Sequence, residues 1–313
     1  MTMVVWLAPW STWSFTIRLV LMLDEKLHPD EPSIPPSFVD PEVYNIKWTT
    51  APSTDPPDLS GLPSLRHAIY LFNTVKFHLG QTYRLLDEAE FENQIRDFYS
   101  NAPQKAAECR LWYIKFLLIL AFGTAFQAAP QENLFEPPGS KFFLRAMSLI
   151  PDPISLWKDS LLAIEVLALV GLYLFSVDQK EAAHIYVSKC SRYHCMHAPL
   201  MSYLAQLGQA LRIAQMEGLH TQLPEDALGV EKVVYCRDLW WTLYIMDRHF
   251  SSTIGLPMSV NHSDITTPIN PPTQGLPADS SRSLQVNLSH LLSVILTSKP
   301  TSQCRTDQIP SPR

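Results

Sequence analysis

The stretch EKVVYCRDLWWTLYIMDRHFSSTIGLP, residues 231–257, decides the fold. Trp240, Leu243, Tyr244, Asp247 and Phe250 fall at i, i+3, i+4, i+7 and i+10, the spacing of one face of an α-helix, which predicts a helix from about Glu231 to Thr253. Gly255-Leu256-Pro257 ends it, because glycine supplies a left-handed cap and proline cannot continue the hydrogen-bond ladder. The aromatic and aliphatic members should form one buried stripe with Asp247 among them. A carboxylate in that setting needs partners, and Arg212, Arg237 or the backbone N–H groups of the Gly255–Ser259 loop are the candidates. No second carboxylate or nucleophile accompanies Asp247, so it reads as part of a structural network and not as a catalytic acid.

Working upstream, Leu200, Leu204, Leu207, Leu211 and Ala214 recur at intervals of four and three, and Gly218 closes that helix. Ser160–Ser176 and Leu111–Ala129 are apolar nearly all round, with Glu165 and Lys115 as their charges. A charge at mid-segment costs roughly 2.5 to 3.5 kcal/mol in lipid, so both read as core helices and not as spans. Between them, the composition of Pro130–Ser140 predicts a loop. From Ala68 to Phe98, apolar residues at spacings of mostly three to five predict two amphipathic helices joined near Asp87. No period-two pattern of any length occurs, so the predicted class is all-α.

The segment from His28 to Pro63 is dense in Pro, Asp, Ser and Thr and reads as a linker or surface-draped stretch. Before it, residues 1–23 are apolar and Trp-rich, but no basic region precedes the run and Arg18 interrupts it, so no membrane anchor is expected. The whole chain of 313 residues is 46% hydrophobic and 17% charged, which suits a globular protein with a large core. A formal net charge of -6 gives no basic footprint for a phosphate backbone, so contact with DNA is expected to be indirect. Five cysteines without framework spacing indicate reduced thiols in an intracellular compartment.

Cys190, His194, Cys195 and His197 place four zinc-type side chains close together, yet without the two-pair spacing of structural zinc sites. No metal ligand set, nucleophile elbow, P-loop or dinucleotide fingerprint is present, so no catalytic residue, cofactor or enzymatic activity is expected.

Four segments together resemble the fungal-specific transcription factor domain, the regulatory middle region of fungal binuclear zinc-cluster factors. They are residues 62–99, residues 160–176, LGQALRIAQMEGLH at 207–220, and CRDLWWTLYIMDRHFSSTIGLPMSVNHSDITTPIN at 236–270. The resemblance marks Gly218, Leu219, His220, Arg237, Trp240, Trp241, Tyr244, Asp247, Arg248, Gly255, Pro257 and Asp264 as the structural and regulatory motif. Leu256 stands where relatives usually carry Arg between Gly and Pro, so the polar contact made by that Arg is absent here.

The resemblance divides the chain into an apolar segment and linker (residues 1–61), the regulatory domain (62–270) and a truncated tail (271–313). It implies a nuclear transcription regulator of a metabolic or biosynthetic gene set. It also implies a small-molecule inducer and a homo- or heterodimer with a zinc-cluster factor. No cysteine precedes Cys109, so zinc is expected only if an upstream cluster exists. Deleting Val187–Gln206 joins AAHIY to LGQALRIAQMEGLH and restores the family spacing, which reads as a retained intron, since Val-Ser can be encoded by a donor-like GTAAGT and Gln by an acceptor-like CAG. The competing readings are a small integral membrane protein built on residues 1–23, 111–129 and 160–176, and a non-functional remnant.

Overall fold

The computed structural model describes residues 12–28, 48, 56–127, 136–151, 153–177, 179–180, 210–269 and 277–297, and no strand occurs among them. The helices are α1 (Thr12–Leu27), α2 (Leu65–Leu79), α3 (Glu88–Phe98), α4 (Ala102–Glu108), α5 (Arg110–Gln127), α6 (Ser140–Leu149), α7 (Pro153–Leu156) and α8 (Ser160–Ser176). They are followed by α9 (Ala210–Met216), α10 (Glu225–Leu228), α11 (Val230–Ile254) and α12 (Pro277–Thr297). The all-α class read from the sequence is the class observed.

Local chemistry sets the corner between α2 and α3. Ser64 caps α2 by accepting the His67 N–H at 3.4 Å, and Asp87 caps α3 by accepting the Glu90 N–H at 3.1 Å. The apolar faces these caps orient bury Ala68, Leu71, Phe72 and Val75 on α2 and Phe91, Ile95 and Phe98 on α3.

Helices α5 and α8 form the centre. Every residue from Tyr113 to Gly123 on α5 and from Ala163 to Leu174 on α8 is buried. Their all-round apolarity has a packing cause, because α5 is flanked by α2, α6 and α8, while α8 touches α5, α9 and α11. Trp157–Ser176 is long and apolar enough to cross a membrane, but most of that span is buried inside the fold. The two charges of this pair meet there: Lys115 Nζ donates to Glu165 Oε2 at 2.7 Å and lies 4.9 Å from the centre of the Phe91 ring.

One glycine fixes how α6 joins this core. Gly139 has φ of +78°, and a Cβ there would stand 2.1 Å from the carbonyl oxygen of Ala121 on α5. Any side chain would therefore push α6 off α5 as well as strain the backbone. Beside it, the Tyr173 hydroxyl of α8 donates to Pro138 O at 2.9 Å.

The long helix α11 departs from the single buried stripe expected for it. Cys236 to Arg248 is buried without a break, and Phe250, Ser251 and Ser252 continue the run. Its neighbours are α1, α8, α9, α10 and α12, so it is enclosed on several sides and its polar residues must be satisfied internally. Residues 277–297, assigned to the tail by sequence, form α12 and pack on α11. Leu200 to Leu207, the metal-like cluster at 190–197 and the Val187–Gln206 insertion lie outside the described residues.

Candidate functional site

The motif residues converge on α11 and the loop that follows it. Gly255 takes φ of +75° and its N–H reaches back to Ser251 O, and Leu256 N–H donates to the same carbonyl at 2.9 Å. This cap turns the chain so that residues 256–268 run back along α11. Asp247, wholly buried, holds the returning loop: its Oδ2 accepts the Ser259 N–H at 3.1 Å and Arg248 Nη1 at 3.0 Å. Of the partners expected from sequence, the loop amide is observed. Arg212 is exposed, and the guanidinium paired to Asp247 belongs to its chain neighbour Arg248.

Arg248 does two further things. Its Nη2 donates to Val260 O at 2.6 Å, a second tie on the loop, and its guanidinium lies 3.5 Å from the centre of the Tyr244 ring. The Tyr244 hydroxyl lies 3.0 Å from Nδ1 of His262 and 3.5 Å from Nδ1 of His290, whose rings stack with centroids 4.0 Å apart. Burial raises the pKa of Tyr244, and the positive Arg248 beside it opposes that shift. Burial lowers the pKa of His262, helped by His290 and Arg248. Trp241 closes the loop's far end by donating its indole N–H to Pro268 O at 3.0 Å.

The turn at Gly218-Leu219-His220 meets the same loop. Gly218 has φ of +76°, Leu219 is buried, and His220 O accepts the N–H groups of Thr266 and Thr267 at 2.9 and 3.1 Å. The His220 ring packs against Trp240, with centroids 5.5 Å apart. Two motif residues stand apart: Pro257 and Asp264 are exposed, with Asp264 accepting from the neighbouring Ser263 hydroxyl. Arg237 is buried, with Nε 3.7 Å from Asp238.

Sequence reasoning missed the other half of this site. Asp238 receives Arg84 Nη1 at 3.1 Å from the turn between α2 and α3, and both terminal nitrogens of Arg282 on α12. The partners lie 154 and 44 residues away, so no local pattern could pair them. One signal was present: Arg282 is the sole Lys or Arg within α12, and it sits among serines and aliphatic residues. Beside Arg84 lies a cavity of about 880 Å³, lined by Phe72, Val75, Leu79, Leu85 and Leu169 with Lys76 and Glu88 among its polar members.

No group of three or more His, Cys, Asp or Glu side chains that could hold a metal ion occurs among the described residues. The geometry ties loops and helices around one helix, a helical scaffold with α11 at its hub. The sequence profile of the fungal specific transcription factor domain matches residues 69–309, and the chain belongs to that family. It is 26% identical over 212 residues to an uncharacterized transcriptional regulatory protein of Schizosaccharomyces pombe, covering 66% of this chain and 24% of the relative. It is 27% identical over 217 residues to activator of stress genes protein 1 of Candida albicans, covering 65% and 20% respectively. A third relative, the thiamine repressible genes regulatory protein thi1 of S. pombe, is 23% identical over 184 residues, covering 57% and 21%. The chain thus spans a fifth to a quarter of the length of these relatives. No solved structure matches.

Proposed function

We propose that this chain is the regulatory domain of a nuclear transcription regulator that controls a metabolic or biosynthetic gene set. The observation that carries the reading is the family match over residues 69–309, supported by relatives whose names describe regulation of transcription or of thiamine and stress genes. The domain contributes no catalysis and needs no cofactor of its own. With a net charge of -6 it reaches DNA through a partner that supplies a zinc cluster, or through a cluster encoded upstream of Met1. The cavity beside Arg84 is the place for a small, largely apolar inducer. Its volume falls within the range of ligand sites, roughly 300 to 1,000 Å³, and Arg84 links it to Asp238 and so to α12.

The test is a fusion of the full chain to a heterologous DNA-binding domain in a fungal reporter strain, with a fluorescent tag to follow location. The expected result is a nuclear protein that changes reporter output, with the change reduced by Asp247→Ala. A nuclear, well-expressed fusion that leaves the reporter at its baseline under every nutrient condition tried would remove the proposal.

A further inference from the structure

Three guanidiniums crowd one carboxylate where the α2–α3 turn, α11 and α12 meet. Asp238 takes Arg84 Nη1 at 3.1 Å and Arg282 Nη2 at 3.0 Å, and Arg237 Nε lies 3.7 Å from it. No second Asp or Glu pairs with these arginines among the described residues, so the cluster holds an excess of two positive charges. Arg237 shows the shortage directly: it is 6% exposed and its Nε has no hydrogen-bond partner. Burial lowers the pKa of Arg282 against the pull of Asp238, and the fields of Arg84 and Arg237 lower it further. Positive charge with so little access to water is costly, and an anion brought beside it would offset that cost.

Of the three, Arg84 lines the cavity of about 880 Å³, with its side chain 31% exposed. Ser281, next to Arg282 on α12, belongs to the same lining. Lys76 and Glu88, the other charged groups there, pair with each other and cancel. The remaining wall is mainly apolar. We propose, on the reading of this cavity as the place of an inducer, that its ligand is an amphipathic carboxylate, the anionic head on Arg84 and the hydrocarbon body among Phe72, Val75, Leu79, Leu85 and Leu169. A neutral apolar ligand would leave the surplus charge uncompensated. A cation would meet Arg84 and find Glu88 already engaged by Lys76. Because one guanidinium reaches the cavity, a singly charged carboxylate matches it, and guanidinium–carboxylate hydrogen bonds are among the strong ones.

Isothermal titration calorimetry of the full chain with decanoate, 1-decanol and decylamine tests this, since at about pH 7.5 the probes share a chain and differ in head charge. The expected result is saturable binding of one decanoate per chain, with decanol about ten- to a hundredfold weaker and decylamine weaker than decanol. Arg84→Gln should bring decanoate down to the affinity of decanol while leaving decanol as it was, and Arg84→Lys should restore part of the difference. Should Arg84→Gln fail to fold, the ranking of the probes on the parent chain still decides. Equal binding of decanoate and decanol overturns the carboxylate and leaves the cavity as an apolar ligand pocket. Tighter binding of decylamine also overturns it, as does decanoate binding that Arg84→Gln leaves untouched. If none of the probes is bound, the reading of the cavity as an inducer pocket falls with it.

Discussion

Asp238 of α11 and Arg282 of α12, 44 residues apart in the sequence, meet as a two-point ion pair in which Arg282 Nη2 lies 3.0 Å from Asp238 Oδ2. The same carboxylate receives Arg84 from the turn between α2 and α3. One side chain on the central helix therefore ties down two distant parts of the fold. Such a hub gives geometry more than net stability, because both charges were taken out of water to form it.

Removing the hub should release α12 first. Asp238→Ala leaves Arg282, 5% exposed, without its counter-charge, a loss of about 3 to 5 kcal/mol for a buried pair broken on one side. Hydrogen exchange followed by mass spectrometry should show the α12 amides losing protection while α5 keeps its own. Equal loss across both helices would mean that the pair supports the whole core and is not a local anchor.

Asp247→Ala should cost a similar amount, about 3 to 5 kcal/mol, because Arg248 is 1% exposed and would be left charged beside the unsatisfied Ser259 amide. Thermal unfolding reads the loss as a lower Tm. Asp247→Asn keeps an acceptor for the Ser259 N–H and should recover part of it. If Asn is as damaging as Ala, the charge on Asp247 and not its hydrogen bond is what holds the loop.

The Lys115–Glu165 pair predicts a non-additive cycle. Glu165→Leu alone strands the buried Lys115 charge at about 3 to 5 kcal/mol and Lys115→Met alone costs less because the Glu165 carboxyl takes up a proton, whereas the two together should be neutral or stabilising by about 1 to 4 kcal/mol. Burial raises the Glu165 carboxyl to about 7, against the opposing pull of Lys115. Because its folded value lies above its unfolded one, this group's contribution is fully present below about 4.5 and is lost as pH rises toward 7. Urea midpoints of the double variant should lack that component.

Histidines act in the opposite direction. Both His249 and His262 keep an exposed face, yet partial desolvation, joined at His262 by the positive fields of His290 and Arg248, lowers their pKa values, so the fold prefers them neutral. A lowered folded value means that the unfolded chain binds more protons, and stability is lost as pH falls below about 6.5. Replacing His249 and His262 by Gln should flatten the acid limb of a urea-midpoint profile between about pH 7 and pH 5. A profile that keeps its slope would assign the acid loss to other groups.

Helix periodicity, caps and the absence of any alternating pattern make the all-α class, the α2–α3 corner at Asp87 and the span of α11 readable from residues alone. Those signals are local, since a Gly at a helix end or an apolar residue every third or fourth position acts within one turn. The sequence likewise marks Asp247 as a carboxylate in need of partners. It does not say that Arg248 is one, or that Ser259 N–H closes the loop, because both depend on the direction the chain takes after Gly255. Nor does it say that α11 is buried on several sides, since periodicity reports one face and only the packing of α1, α8, α9, α10 and α12 decides the others. The Asp238 hub and the docked face of α12 lie furthest from local reading. Burial there is set by which face α12 turns toward α11, and a buried two-point ion pair with small serines beside it makes that choice.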